Sequence, residues 1–292
     1  MGVGEVRRFN RVVTQRIGAL NDAYMSRDRR LGQARVLWEI GVVGCDLREL
    51  RARLDLDSGY LSRLLRGLES DGLVEVEQSG DDGRVRTARL TPKGIAEREV
   101  LDQRSDELAE SILEPLSPQQ RDRLVTAMGE VERLLTASAV QVEIVDPRRP
   151  EAQYCIQRYF EELASRFDGG FDHARTISAD VGELTLPAGL LLVATLHTEP
   201  VGCAGLKLHP GEPAEVKRMW VSPEVRGLGL GRRLLTEIEK QAKAHNTSAL
   251  RLETNQSLKE AIALYRAAGY VEVPAFNDEP YAHHWFEKHL VS

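Results

Sequence analysis

Cysteine is scarce in this 292-residue chain: Cys45, Cys155 and Cys203 stand far apart and never as C-x-x-C. That spacing argues against a disulfide framework and against a metal site, and a reducing, cytoplasmic setting is expected. Nowhere do about 18 apolar residues run together, so neither a membrane span nor a membrane partner is expected. The opening MGVGEVRRFNRVV lacks the apolar core of a signal peptide. Internal repeats and low-complexity segments are missing too. Two common phosphate-loop signatures are absent as well: no Gly-Lys precedes Ser or Thr, and the one glycine cluster is spaced G-x-G-x-G, not G-x-G-x-x-G. The net charge is −6, so any contact with nucleic acid must come from a local basic surface. What is present, 42% hydrophobic and 29% charged residues, is ordinary for a globular chain, and the length suggests about two domains.

The most informative stretch covers residues 215–245, EVKRMWVSPEVRGLGLGRRLLTEIEKQAKAH. Val216, Met219, Trp220 and Val221 suit a buried strand. Ser222 and Pro223 end it. Arg226-Gly227-Leu228-Gly229-Leu230-Gly231-Arg232 then makes a tight turn, and Leu234, Leu235, Ile238 and Ala242 repeat at helical spacing. Such a turn brings backbone close to a ligand, and the following helix start offers unpaired N–H groups with partial positive charge. Together they predict a phosphate cradle.

The first half reads differently. Phe9, Val12, Val13, Ile17 and Leu20 predict a helix over 6–25, and Val36, Leu37 and Ile40 predict another over 32–41. Asp46-Leu47-Arg48-Glu49 is a capping box that opens a short helix to about residue 54. Asp57 or Ser58 caps the next, SGYLSRLLRGLES. At about 100° per residue its Leu61, Leu64, Leu65 and Leu68 share one face, and Gly59, Ser62, Arg63 and Arg66 the other. Val74, Val76, Val85 and Leu90 predict two short strands around residues 79–83, flanked by Arg84, Arg86 and Arg89. Thr91-Pro92 and Ser117-Pro118-Gln119-Gln120 then start two long helices, with Leu124, Met128, Val131 and Leu135 on one face of the second.

Two short helices, a basic outer face and a charged hairpin describe a winged helix-turn-helix. In Asp57-Ser58-Gly59-Tyr60-Leu61-Ser62-Arg63-Leu64-Leu65, the Gly72-Leu73-Val74 exit, the Asp82-Gly83-Arg84 wing and the Leu90-Thr91-Pro92-Lys93-Gly94 re-entry, residues 5–137 resemble MarR-type regulators. The resemblance implies a mainly α domain over 1–138 that binds double-stranded DNA. Ser58, Gly59, Ser62, Arg63, Arg66, Arg84 and Arg86 would meet the duplex, since arginine suits both phosphate and guanine edges. It also implies a homodimer built by the first and last helices and reading a pseudo-palindromic site, hence a nucleoid-associated fraction in the cell.

Residues 136–139, small and polar, suggest a linker. Beyond it, 139–292 is expected to be an α/β domain with a mixed, mostly antiparallel sheet. Arg226-x-x-Gly229-x-Gly231 after a strand ending Val221-Ser222-Pro223, with Ala261-Ile262-Ala263-Leu264-Tyr265-Arg266-Ala267-Ala268-Gly269-Tyr270 downstream, resembles the GNAT superfamily of N-acetyltransferases over 140–290. That resemblance implies acetyl-CoA as cosubstrate. The pyrophosphate would lie on Arg226, Gly227, Leu228, Gly229, Leu230, Gly231 and Arg232, and the pantetheine arm along Met219, Trp220 and Val221. It makes Tyr265 the acid that protonates the leaving thiolate. An amine of pKa near 10.4 is only about one part in a thousand neutral at pH 7. A base is therefore needed, and Glu215, at the start of the strand, is the candidate. Many members carry an asparagine seven residues before the tyrosine; here Leu258 stands there, and Asn255, three residues earlier, is the stand-in. His283 and His284 point to opposite strand faces and do not suit one metal.

The reading is therefore a transcriptional regulator fused to an acetyl-CoA-dependent N-acetyltransferase whose amine acceptor, small molecule or protein, is unnamed by the sequence. Two rivals stay open: a regulator that senses acetyl-CoA without turnover, and an enzyme whose winged helix only dimerises.

Overall fold

A computed structural model describes residues 2–19, 30–79, 85–167, 169–177 and 179–290. The chain divides into two compact units, 1–130 and 131–292.

In the first unit the helices are α1 (Val3–Arg16), α2 (Leu31–Ile40), α3 (Leu47–Arg53), α4 (Ser58–Ser70), α5 (Pro92–Leu113) and α6 (Pro118–Ala139), the last running on into the second unit. The expected starts are there in atomic detail. The Asp46 carboxylate accepts from the Arg48 N–H at 2.6 Å, that of Asp57 from the Tyr60 N–H at 2.8 Å, and the Thr91 hydroxyl from the Gly94 N–H at 3.0 Å. Ser117 and Gln120 cap each other reciprocally. Strands β2 (Val74–Ser79) and β3 (Val85–Leu90) form the hairpin, and a two-residue strand not foreseen, β1 (Cys45–Asp46), pairs antiparallel with β3. The core gathers Val36, Leu37, Ile40, Leu50, Leu61, Leu65, Leu68 and Leu73, so the leucine face of α4 points inward as its periodicity requires.

Two readings need correction. Residues 136–139 are the last turn of α6, not a linker: nothing in that run breaks a helix, and alanine favours one. The apolar face read along α6 is only partly covered among the described residues: Leu124 and Val131 are half-buried, Met128 and Leu135 exposed. The predicted helix over 6–25 is seen to Arg16; residues 20–25 lie outside the described residues.

In the second unit, β4 (Gln141–Ile144), β5 (Gly189–Leu196), β6 (Glu199–Lys207), β7 (Ala214–Val221), β8 (Ala249–Thr254), β9 (Val271–Val273) and β10 (His284–His289) make one sheet in the order β4-β5-β6-β7-β8-β10-β9. Only β7 and β8 run parallel; every other pairing is antiparallel. Helices α7 (Pro150–Arg166), α8 (Leu230–Ala244) and α9 (Lys259–Ala267) complete it, with α8 as the crossover between the two parallel strands. Leu234, Leu235 and Ile238 of α8 are wholly buried. At about 1.5–3 kcal/mol for each side chain, that anchoring fixes the axis of α8 and so the position of its first turn.

Gly94 shows how tightly α5 is seated. A Cβ there would stand 2.0 Å from the Leu73 carbonyl oxygen, whereas at Gly129 in α6 it would meet nothing within 4 Å. Gly94→Ala should therefore destabilise the first unit by about 1–3 kcal/mol, the usual result of overpacking. Gly129→Ala should stabilise its helix by about 0.5–1 kcal/mol. Urea titrations followed by circular dichroism check both, and equal effects would overturn the packing argument.

Candidate functional site

Strands β7 and β8 pair only at Ala214↔Leu250 and Glu215↔Arg251. Beyond Glu215 the ladder between them stops, and β7 carries an extra residue against β6, with Arg218 at φ +52°. The strands therefore open a wedge, and two cavities occupy it.

The larger cavity, about 490 Å³, runs from Tyr265 and Met219 past Trp220 and Val221 to Arg226, Gly227, Gly229, Leu230, Gly231 and Arg232. Gly227 and Gly229 sit at φ +82° and +78°, backbone that side chains rarely adopt. Gly229 is the N-cap of α8 and so supplies no side-chain oxygen to the first turn. The first helical N–H groups, from Leu230 to Arg232, therefore face the groove with the partial positive charge of the helix end, where a diphosphate fits. Acetyl-CoA suits this groove: an anion end, a strand edge without a ladder partner for an amide-bearing arm, and an inner end at Tyr265.

Several sequence-predicted residues are occupied in ways the sequence could not show. The Arg226 guanidinium bonds the Val221 carbonyl and the Glu162 carboxylate, so it braces the turn. Glu162, on α7, also accepts from the Trp220 indole N–H at 2.9 Å and pairs with Arg166. Arg166 in turn reaches Glu260 on α9. Leu228 turns into the core instead of the groove. Asn255 is outside the groove: its amide donates to the Tyr281 carbonyl at 2.7 Å and its oxygen accepts from Ser257, so it fastens a loop beside the second cavity.

That second cavity, about 110 Å³, is walled by Phe160, Phe167, Phe171, Tyr281 and the β7–β8 residues Lys217, Arg218, Glu253 and Thr254. Tyr265, Met219, Tyr159, Leu163, Leu258 and Ala261 line both cavities, so this is where they join. The Tyr265 hydroxyl is buried and its hydrogen bond is a weak one, to Met219 Sδ at 3.8 Å. Burial, with the Glu253 charge nearby, pushes its pKa far above the ordinary phenol value, so the proton is kept until a strong base forms beside it.

The carboxylates divide differently from the sequence reading. Glu215 pairs with Lys217 Nζ at 2.9 Å and lies 3.2 Å from His209 Nε2, and it lines neither cavity. Burial alone would raise its pKa, but Lys217, His209 and Lys207 hold it below the ordinary value. Glu253, on β8, does line the cavity. Its Oε1 meets Lys217 Nζ; its Oε2 is buried without a hydrogen-bond partner. Burial outweighs Lys217 here and raises the Glu253 pKa. Burial also works against charge on Lys217, yet the two carboxylates together keep its pKa above the usual value. Sequence reasoning missed Glu253 because a glutamate at the end of a strand carries no local sign of its partners. His284 pairs with Glu272 at 2.6 Å and takes no part. Among the described residues no cluster of metal-ligating side chains exists.

In the first unit, Ser58, Gly59, Ser62, Arg63 and Arg66 of α4 are all exposed, as is Arg86 on β3. Arg63 lies over the Tyr60 ring and Arg66 Nε donates to the Ser62 carbonyl, which holds both side chains along the helix. Arg48 and Arg51 of α3 join Ser58, Ser62 and Arg86 around one depression, an addition the sequence reading did not make. Arg84 and the wing tip, residues 80–84, lie outside the described residues.

Comparison with known proteins agrees with both halves. The model of the acetyltransferase (GNAT) family matches residues 156–270, and that of the MarR family residues 28–85. An IAA acetyltransferase of Azospirillum brasilense is 42% identical over 126 residues, which span 43% of this chain and 82% of the relative. The HTH-type transcriptional regulator BilQ of Clostridium symbiosum is 31% identical over 88 residues, spanning 30% of this chain and 61% of its own length. A GNAT-family acetyltransferase structure from Staphylococcus aureus overlays 52% of this chain and 100% of its own at 20% identity, with a TM-score of 0.46. With its wedge, its glycine turn and a relative matched over four-fifths of its length, the chain belongs to the GNAT acetyltransferase family and carries a MarR-family winged-helix segment ahead of that domain.

Proposed function

We propose that the chain is a bifunctional regulator: its first unit binds double-stranded DNA as a homodimer, and its second transfers the acetyl group of acetyl-CoA to an amine. The observation that carries the catalytic half is the junction itself, where the Tyr265 and Glu253 side chains line the same cavity, one Glu253 oxygen is buried without a partner, and a groove leads from Tyr265 to the first turn of α8.

Bound acetyl-CoA supplies an acetyl thioester; the rest is done by the chain's own side chains. Amides of the first turn of α8 hold the diphosphate, with exposed Arg232 beside them. The free edge of β7 at Met219 and Val221 aligns the arm. Glu253 Oε2 accepts a proton from the acceptor ammonium, freeing the nitrogen lone pair that forms the N–C bond with the acetyl carbonyl carbon. Tyr265 delivers its proton to sulfur as the C–S bond breaks, and the second proton lost from the acceptor nitrogen restores the Tyr265 phenol, leaving a neutral amide and thiol. Glu215, first read as the base, instead fixes Lys217, which in turn holds Glu253 through one oxygen and leaves the other available.

DNA binding is supported by the exposed arginine set. Dimerisation is supported by two helices that leave apolar side chains exposed among the described residues. Neither α1 nor α6 has a buried residue, yet Val3, Val6, Phe9 and Val12 of the first, and Val125, Met128, Leu134 and Leu135 of the second, are exposed. Surface of this kind calls for a partner.

Tyr265→Phe should lower kcat by about 10²–10⁴-fold, the usual contribution of a positioned acid, while calorimetry finds unchanged acetyl-CoA affinity. No loss of turnover would remove the assigned role. A base with a raised pKa is active only above it, so kcat/KM should rise with pH through a limb displaced upward from the ordinary carboxylate range, and Glu253→Gln should abolish that limb. A limb that persists in Glu253→Gln and vanishes in Glu215→Gln would return the role to Glu215.

On DNA, Arg63→Ala and Arg86→Ala should each reduce the slope of log K against log salt by about one. Unchanged slopes would favour a winged helix that only dimerises. The sensing alternative predicts tight acetyl-CoA binding, no thiol release with any amine, and an operator affinity that changes with acetyl-CoA, since linkage is reciprocal; footprinting with and without acetyl-CoA separates the two.

A further inference from the structure

The smaller cavity has walls of an unusual kind for this chain, in which aromatic residues make up only 5%. Phe160, Phe167, Phe171 and Tyr281 form one connected set, with ring centroids 5.0–5.9 Å apart. Two loops are stitched together to make the wall. The Asp172 N–H donates to the Tyr281 hydroxyl at 2.9 Å, and the Ile177 N–H to the Glu279 carboxylate at 2.7 Å. The rings are therefore held in place before any acceptor arrives. Beside them lies a polar group with unmet demand: the Glu253 side chain is only 10% exposed, Lys217 takes one of its oxygens, and the other has no partner.

We propose that the acceptor is a small primary amine carried on an aromatic ring, an arylalkylammonium ion; the proposal rests on the acetyl-transfer reading of Tyr265 and Glu253. Moving an ammonium out of water is expensive unless a carboxylate and other favourable groups receive it. Glu253 Oε2 provides the carboxylate and the ring faces provide cation–π attraction. The ring of the ligand finds offset or edge-on partners at Phe167, Phe171 and Tyr281.

The same inventory disfavours other amines. A polyamine would bring a second ammonium. The remaining carboxylate of the cavity, Glu279, already accepts from the Ile177 and Tyr281 backbone N–H groups. A peptide terminus would bring amide groups against rings that cannot bond them. An amino acid would bring a carboxylate towards Glu253 and Glu279. Of the two cations on that wall, Lys217 is already paired with Glu215 and Glu253, and Arg218 lies 4.7 Å from the Phe160 ring and donates through Nε and Nη2 to the Ala179 carbonyl.

The test uses the full chain with acetyl-CoA and follows thiol release. The panel is 2-phenylethylamine, tryptamine, hexylamine, spermidine, phenylalanine and a short peptide with a free N-terminus. In parallel, calorimetry measures 2-phenylethylamine binding to the chain saturated with CoA. The aryl amines should exceed hexylamine and spermidine in kcat/KM by about tenfold, the scale of one aromatic or cation–π contact. Phe171→Leu, which keeps an apolar side chain and removes a ring face, should erase most of that preference without changing CoA affinity. A preference for spermidine, phenylalanine or the peptide would overturn the proposed class and leave acetyl transfer standing. Binding of 2-phenylethylamine without thiol release would uphold the class and overturn acetyl transfer. Neither binding nor turnover of the aryl amines would overturn the class outright.

Discussion

Two parallel strands that pair for only two residues and then part are the constraint on which the second unit turns. Pairing at Ala214↔Leu250 and Glu215↔Arg251 fixes β7 beside β8, and everything beyond is wedge. A full ladder would have consumed the β7 edge and left no room between the strands. The parting is enforced from both sides. On the β6 side, the extra residue of β7, with Arg218 at positive φ, turns the strand. On the β8 side, the strand ends at Thr254 and the chain turns through Asn255, whose amide group holds Ser257 and Tyr281. The wedge is thus a product of a bulge and a fastened loop, and Tyr265 lies where its two cavities meet.

What fills the wedge follows from that geometry. Because α8 bridges β7 to β8 and is pinned by Leu234, Leu235 and Ile238, its N-terminus must open at the mouth of the gap. The anion end of a ligand is therefore set by packing, not by the arginines alone. Arg226 illustrates this. Its guanidinium bonds the Val221 carbonyl and Glu162 and steadies the turn, so the proposed phosphate site relies on backbone amides and on Arg232. Glu162 emerges as the residue that ties α7 to both Trp220 and the turn.

The parts legible in the sequence were those whose cause is local. Asp46, Asp57, Thr91 and Ser117 cap helices through atoms two or three residues away, and Gly227 and Gly229 occupy a turn that demands positive φ; each can be read from neighbours. The wedge's chemistry was not legible, because its partners are remote in sequence. Glu253 meets Lys217 across 36 residues, and Trp220 meets Glu162 across 58. Nothing about a lone glutamate shows that its second oxygen will be buried bare. Asn255 was misplaced for the converse reason: its spacing before Tyr265 suggested a ligand contact, but a nearby hydroxyl and a loop carbonyl satisfied it first. Arg48 and Arg51 escaped notice because α3 was read only for its cap.

The same remoteness underlies the proposal of Glu253, not Glu215, as the base. Two carboxylates share the single ammonium of Lys217. Left equal, neither would be distinguished. They are unequal because Glu215 also has His209 and Lys207 near it, whereas Glu253 has no second cation among the causes that set its ionisation, and feels the charges of Glu215 and Glu279. The surplus negative charge is therefore most exposed to destabilisation at Glu253, and there a proton is most readily taken up. That is the property required of a group that must strip an ammonium and yet release the proton afterwards. Lys217 keeps the carboxylate in place through one oxygen. Burial keeps the other dry, and the aromatic wall lines the same cavity as Glu253.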